Sequence, residues 1–205
     1  MSDNANTSVE YPDTYGNALI PEKGDPTEAT VYAAVGYALS KWEAMEAEMC
    51  WLYGALRGLP RYASEAIVGY SQKPTLRGRI EQVREYLTKI SRNQPNQALE
   101  GGILALTLEV ETLATTRNKI AHAVVVLLRQ KRHKVLPGTM TNRPYDQEYC
   151  LVPAYYNHRY VDSNIRPNYI YLAEEIRRFG GQFEQLHVKI AGLIRAYFPP
   201  PPHDA

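Results

Sequence analysis

The stretch DPTEATVYAAVGYALSKWEAMEAEMCWLYGALRGLP, Asp25–Pro60, decides the fold class. Its apolar residues Val31, Val35, Ala38, Trp42, Met45, Met49, Leu52 and Leu56 recur at steps of four and three. That is the period of one face of an α-helix, so a single long helix with one buried side is expected. Asp25, Pro26 and Glu28 read as its start: an Asp cap, Pro at the first helical position and a carboxylate in the first turn. Gly58 and Pro60 end it. Met45 and Met49 fall on the stripe and read as core or dimer interface, not as a cofactor box.

Working outward, the same spacing returns three times. After Pro74-Thr75 come Leu76, Ile80, Val83, Leu87 and Ile90, and after a break at Asn93 to Asn96 come Leu99, Ile103, Leu106, Val110 and Leu113. The last stripe is Leu172, Ile176, Phe179, Phe183, Leu186, Ile190, Leu193 and Tyr197. Gly180-Gly181 lies inside it and is expected to weaken that helix by about 1 kcal/mol per glycine relative to alanine. A short helix is expected from Ser64 to Tyr70. The predicted fold is all-α: an antiparallel helical bundle of four long helices plus one short helix, with an irregular or β-hairpin insertion before the last helix.

The insertion is read over 123–156. Val124-Val125-Val126 prefers strand because branching at Cβ restricts helical rotamers, Pro137-Gly138 marks a turn, and EYCLVPAYY (148–156) is again strand-like. Pro153 argues that the second strand is an edge or is short. Three regions follow: a flexible N-terminal tail over 1–26, a helical domain over 27–198, and a Pro-rich tail over 199–205, where Pro199–Pro202 cannot continue a helix.

The 205 residues are 44% apolar and 22% charged with a net charge of +1, the composition of an ordinary globular protein. The longest apolar run, Ala123 to Leu128, is far short of the roughly 20 residues that span a bilayer. No signal-peptide pattern opens the chain, so a cytoplasmic protein with no membrane partner is expected. The balanced charge argues against a general coating for nucleic acid. Two cysteines, Cys50 and Cys150, are too few for a disulfide framework and are expected to be free thiols. No phosphate-binding glycine loop and no zinc spacing appears, so no cofactor or metal is expected.

Charge is nevertheless uneven. From Thr112 to Tyr145 no residue is acidic, while Arg117, Lys119, Arg129, Lys131, Arg132, Lys134 and Arg143 are basic. The stripe that begins at Leu99 continues through positions 117, 120 and 124, where Ile120 and Val124 fit and Arg117 does not. A buried guanidinium costs several kcal/mol unless it is paired or wet. Arg117 therefore either meets a carboxylate (Glu109, Glu111 or one on another helix) or lies at an interface or cleft.

Around it the chain reads Arg117-Asn118-Lys119-Ile120-Ala121-His122. This R-N-x-x-A-H string, late in a helix, resembles the Arg-x4-6-His signature of the HEPN superfamily (higher eukaryotes and prokaryotes nucleotide-binding domains). Ser40-Lys41-Trp42-Glu43 on the first helix, and an irregular segment and closing helix after the motif, resemble that family's arrangement as well. Many members carry Gly after the His, where this chain has Ala123. The resemblance implies a metal-independent endoribonuclease, typically a toxin or defence effector, in which 2′-hydroxyl attack cleaves RNA. It implies Arg117, Asn118 and His122 as catalytic residues, RNA as substrate, a homodimer whose two motifs line one cleft, and, for toxin members, an antitoxin protein. The alternative is a non-catalytic HEPN-like module that binds RNA, a nucleotide or a partner protein.

The residue chemistry fits the first reading. An imidazole exchanges protons near neutral pH, and a guanidinium forks onto a phosphate and stabilises charge growing there. Lys119, Arg129, Lys131 and Arg132 are candidate RNA-binding residues beside the motif, or simply solvated. Residues five apart on a regular helix point about 140° apart, so Arg117 and His122 cannot share one straight helix face. Their convergence requires a helix end near 121 or two chains. On the plainer reading His122 is a helix-terminal histidine favoured by the helix dipole, and Tyr155 and Tyr156 are packing residues.

Overall fold

The computed structural model describes residues 21, 23–128, 148–154 and 167–199. Among them are five helices and one two-stranded sheet, in the order α1 (Glu28–Leu56), α2 (Ser64–Ser71), α3 (Leu76–Asn93), α4 (Gln97–Ala121), β1 (Ala123–Leu128), β2 (Glu148–Pro153) and α5 (Ala173–Tyr197). The chain is predominantly helical, as the repeated stripes require. No helix of the described residues is long and apolar enough to cross a membrane.

The segment read as one domain over 27–198 divides into two compact units. One comprises the described residues as far as Tyr32 together with those of His122–Ala173, and the other comprises Ala33–Ala121 with the described residues from Glu174 onward. The division follows from the β-branched run. It leaves the helical path at His122 and takes its hydrogen bonds from residues distant in sequence.

In the sheet unit β1 and β2 are antiparallel, with Ala123 opposite Pro153 and Leu128 opposite Glu148. β2 also pairs on its other side: Tyr149 exchanges two backbone bonds of 2.8 Å with Asp25, and Leu151 two of 2.9 Å with Tyr171. Pro153 is the last residue of β2, where a missing N–H is tolerated. Val126, Leu128, Cys150 and Val152 form the buried cluster, with Ile170 and Leu172 packed on it. Gly24 donates its N–H to Glu148 Oε2 at 2.9 Å, and a Cβ there would come within 2.9 Å of the Tyr149 carbonyl.

This pairing corrects the expected start of α1. Asp25 is in a β-bridge and does not cap α1; Thr27 does, its Oγ1 accepting from the Thr30 N–H at 3.1 Å. The Asp25 carboxylate instead accepts from the Ala173 N–H at 2.7 Å, an anion at the start of α5. Gly24 and Asp25, assigned to the flexible tail from the sequence, are thus hydrogen-bonded parts of the sheet unit.

In the helical unit most positions of the predicted stripes are buried, while Val35, Leu76, Ile90, Leu113, Phe179 and Leu193 are half-buried and Tyr197 is exposed. Ala38, Trp42, Met45, Met49, Leu52 and Leu56 of α1 are buried, so Met45 and Met49 are core rather than interface. Ile80, Val83 and Leu87 of α3, Leu99, Ile103, Leu106 and Val110 of α4, and Ile176, Phe183, Leu186 and Ile190 of α5 join them. Trp42 meets Phe183 edge to face at 5.1 Å. α3 begins at a Thr75 cap that accepts from Gly78, and α4 behind Asn96, whose Oδ1 accepts from Leu99. Ion pairs join the helices: Arg79 with Glu46, Arg84 with Glu111, and Lys189 with Glu109.

Candidate functional site

α4 supplies Arg117 and Asn118, and its last residue is Ala121. His122 follows in a turn, and β1 starts at Ala123. The helix end expected near 121 is therefore present, set by the Val124–Val126 run that prefers extended backbone.

Ile120 is 1% exposed, so the apolar stripe is buried again one turn beyond Arg117, whereas Val124, in β1, is exposed. The Arg117 side chain is 29% exposed, so its guanidinium escapes full burial at a stripe position. Its Nη2 lies 3.4 Å from Glu43 Oε1 on α1, and its Nη1 donates to Asn118 Oδ1 at 3.2 Å. The Nε is buried and has no hydrogen-bond partner among the described residues.

The carboxylate on another helix is the alternative realised, because Glu109 is held by Lys189 and Glu111 by Arg84. Glu43 is 63% exposed, and ion pairs exposed to this degree contribute about 0–1 kcal/mol. An orphaned buried donor costs about 1–3 kcal/mol. The environment of Arg117 therefore compensates its charge only in part.

Asn118 and His122 are both exposed. His122 makes no hydrogen bond or ion pair among the described residues. Lys119 is half-buried and engaged within the chain. Arg129, Lys131 and Arg132 lie outside the described residues, as do Tyr155 and Tyr156. His187 is bound to the Ala44 carbonyl through Nδ1 at 3.1 Å. Among the described residues no three His, Cys, Asp or Glu side chains group as metal ligands.

Glu43 is the neighbour of Arg117 that sequence reasoning missed as its partner. The only signal was its place within Ser40–Glu43, because which face of α1 meets position 117 is a matter of tertiary phase. Both cysteines are free and buried. Burial pushes the Cys150 thiol up to about 12 and raises that of Cys50, so neither is a ready nucleophile.

No family model, curated protein or solved structure matches the chain.

Proposed function

We propose that this protein is a metal-independent endoribonuclease of the HEPN type, acting as a homodimer, with Arg117, Asn118 and His122 as its active residues. The observation that carries the reading is Arg117: an arginine at an apolar-stripe position, loosely paired to an exposed Glu43 and carrying an unpartnered buried Nε. An anionic ligand is what such a guanidinium lacks. The exposed His122, free of the helix that ends one residue before it, supports the same reading.

In the proposed reaction a ribose 2′-oxygen bonds to the adjacent phosphorus while the bond from phosphorus to the 5′-oxygen breaks. One His122, as neutral imidazole, takes the 2′-hydroxyl proton, and the second copy's His122, as imidazolium, gives a proton to the leaving 5′-oxygen. Arg117 binds the non-bridging oxygens as their charge grows, and Asn118 orients Arg117 through its Oδ1. The helices would form the antiparallel bundle expected from the stripes, and an antitoxin would be a partner if the protein is a toxin.

The Arg117–Glu43 contact favours a second reading, in which Arg117 ties α4 to α1 and the chain is a non-catalytic module binding RNA, a nucleotide or a partner protein. Cleavage of a mixed RNA pool in EDTA separates the two. The wild-type protein should leave 2′,3′-cyclic phosphate ends, and His122→Ala and Arg117→Ala, each shown folded by circular dichroism, should lose cleavage. Cleavage that survives in both variants removes this site from the reaction. Absence of cleavage at every pH between about 6 and 9 leaves the binding module.

A further inference from the structure

Two arginines join α4 to a neighbouring helix, and they are built differently. Arg84 on α3 forks onto Glu111 at 3.2 and 2.9 Å, and its Nε donates to Thr107 Oγ1 at 3.0 Å. Its Nε, Nη1 and Nη2 are all matched, as a structural tie requires. Arg117 on α4 is not matched. Its Nη1 donates to Asn118, its Nη2 has one contact of 3.4 Å to Glu43, and its buried Nε has no partner among the described residues. Nε and Nη2 are the pair left to fork onto two oxygens of one anion.

Glu43 meets this pair at one donor only. α1 gives it no cation of its own, because Leu39, Ser40, Glu46 and Ala47 stand three and four residues away. Among the described residues it meets no cation besides Arg117. Its carboxylate is 63% exposed, so it can turn into water at little cost. The run from Thr112 to Tyr145 contains no acid, so no carboxylate in the motif's own segment competes for Arg117. α1 and α4 meet here inside the helical unit. A phosphodiester that forks onto Nε and Nη2 must displace Glu43 or share Nη2 with it, and two anions on one donor repel each other. Either way the carboxylate lowers the affinity of Arg117 for phosphate.

We infer that Glu43 is an internal competitor for the phosphate edge of Arg117, a carboxylate that holds the guanidinium until an anionic ligand replaces it. That the ligand is an RNA phosphodiester rests on the ribonuclease reading. A competitor and a tie act with opposite sign. Removing a tie loosens Arg117 and weakens ligand binding, whereas removing a competitor strengthens it.

NMR of the Arg117 Nε–H, identified by its loss in Arg117→Lys, reads this sign on the full chain. Inorganic phosphate and a short 2′-deoxy oligonucleotide serve as probes, since neither has the 2′-hydroxyl that the proposed cleavage needs. Both should shift the Nε–H signal of the wild-type protein. Glu43→Gln should bind each at least about twofold more tightly, an exposed pair of this kind accounting for up to about fivefold. Glu43→Ala should do the same if the Gln variant does not fold. A smaller gain, an unchanged affinity or a weaker one overturns the inference, as does an Nε–H that neither probe moves in either protein. Where RNA is cleaved, Glu43→Gln should lower KM. Tighter phosphate binding in Glu43→Gln without any cleavage of RNA defeats the ribonuclease reading alone. Cleavage by the wild-type protein with no gain in Glu43→Gln defeats this inference alone.

Discussion

Arg117 is where the stripe of α4 breaks, and that break is legible from the spacing of Leu99, Ile103, Leu106, Val110 and Leu113 alone. Its partner is not, because Glu43 stands 74 residues away on another helix. The pair is exposed and long, so Arg117→Ala should lower the unfolding free energy by no more than about 1 kcal/mol in urea titration. A larger loss would make Arg117 a structural anchor and favour the binding-module reading. Gly180 and Gly181 show a second limit of local reading. Propensity treats them alike, yet a Cβ at Gly180 would fall 2.6 Å from Tyr37 Cε1 and 3.1 Å from Ala38 Cα, while one at Gly181 meets nothing within 4 Å. Gly181→Ala should therefore stabilise by up to about 1 kcal/mol, and Gly180→Ala should destabilise by about 1–3 kcal/mol through overpacking. Equal effects of the two substitutions in urea titration would sink this account of the α1–α5 contact.

At the level of elements, the helices are readable because each carries its own period. The strands are only half readable. Val124–Val126 announces an extended segment, and the end of α4 at Ala121 follows from it, but the partners of β2 come from Asp25 and Tyr171, which no local signal connects. The same tertiary pairing takes Asp25 away from α1 and gives its carboxylate to the first N–H of α5. Asp25→Ala should cost about 0.5–2 kcal/mol, the range of a lost N-terminal cap, and should speed amide exchange at Ala173. Unchanged exchange there would show that this bond does not hold the start of α5. α1 and α5 also meet through Lys41 and Glu184, whose hydrogen bond and charge hold the Glu184 carboxyl below the usual carboxylate range and raise Lys41. A depressed carboxyl stabilises above its unfolded pKa and loses that contribution as pH falls through the folded value. In Lys41→Gln the Glu184 titration midpoint, followed by NMR, should move up toward the ordinary range. An unmoved midpoint would assign the shift to another cause.

For the whole molecule, the near-balanced charge of +1 hides an acid-free run from Thr112 to Tyr145 that contains the candidate motif. The chain length suggests one domain between two tails. The division into two units comes from backbone pairing, which periodicity does not encode. The units differ in how much apolar surface they bury. The sheet unit has the cluster of Val126, Leu128, Cys150 and Val152 with Ile170 and Leu172, whereas the helical unit buries Trp42, Phe183 and the stripes of four long helices. Stability rises with buried apolar area, so the smaller cluster should open first. Each unit contains one buried cysteine, Cys150 in the sheet unit and Cys50 in the helical one. Both thiols are raised by burial, Cys150 to about 12, so neither should react with a thiol reagent in the native protein near pH 8. In a urea series, pulsed alkylation should label Cys150 at lower urea than Cys50, each identified by peptide mass. Labelling of both at the same urea concentration would mean that the two units unfold as one cooperative structure, and labelling of Cys50 first would reverse the order that their cores imply.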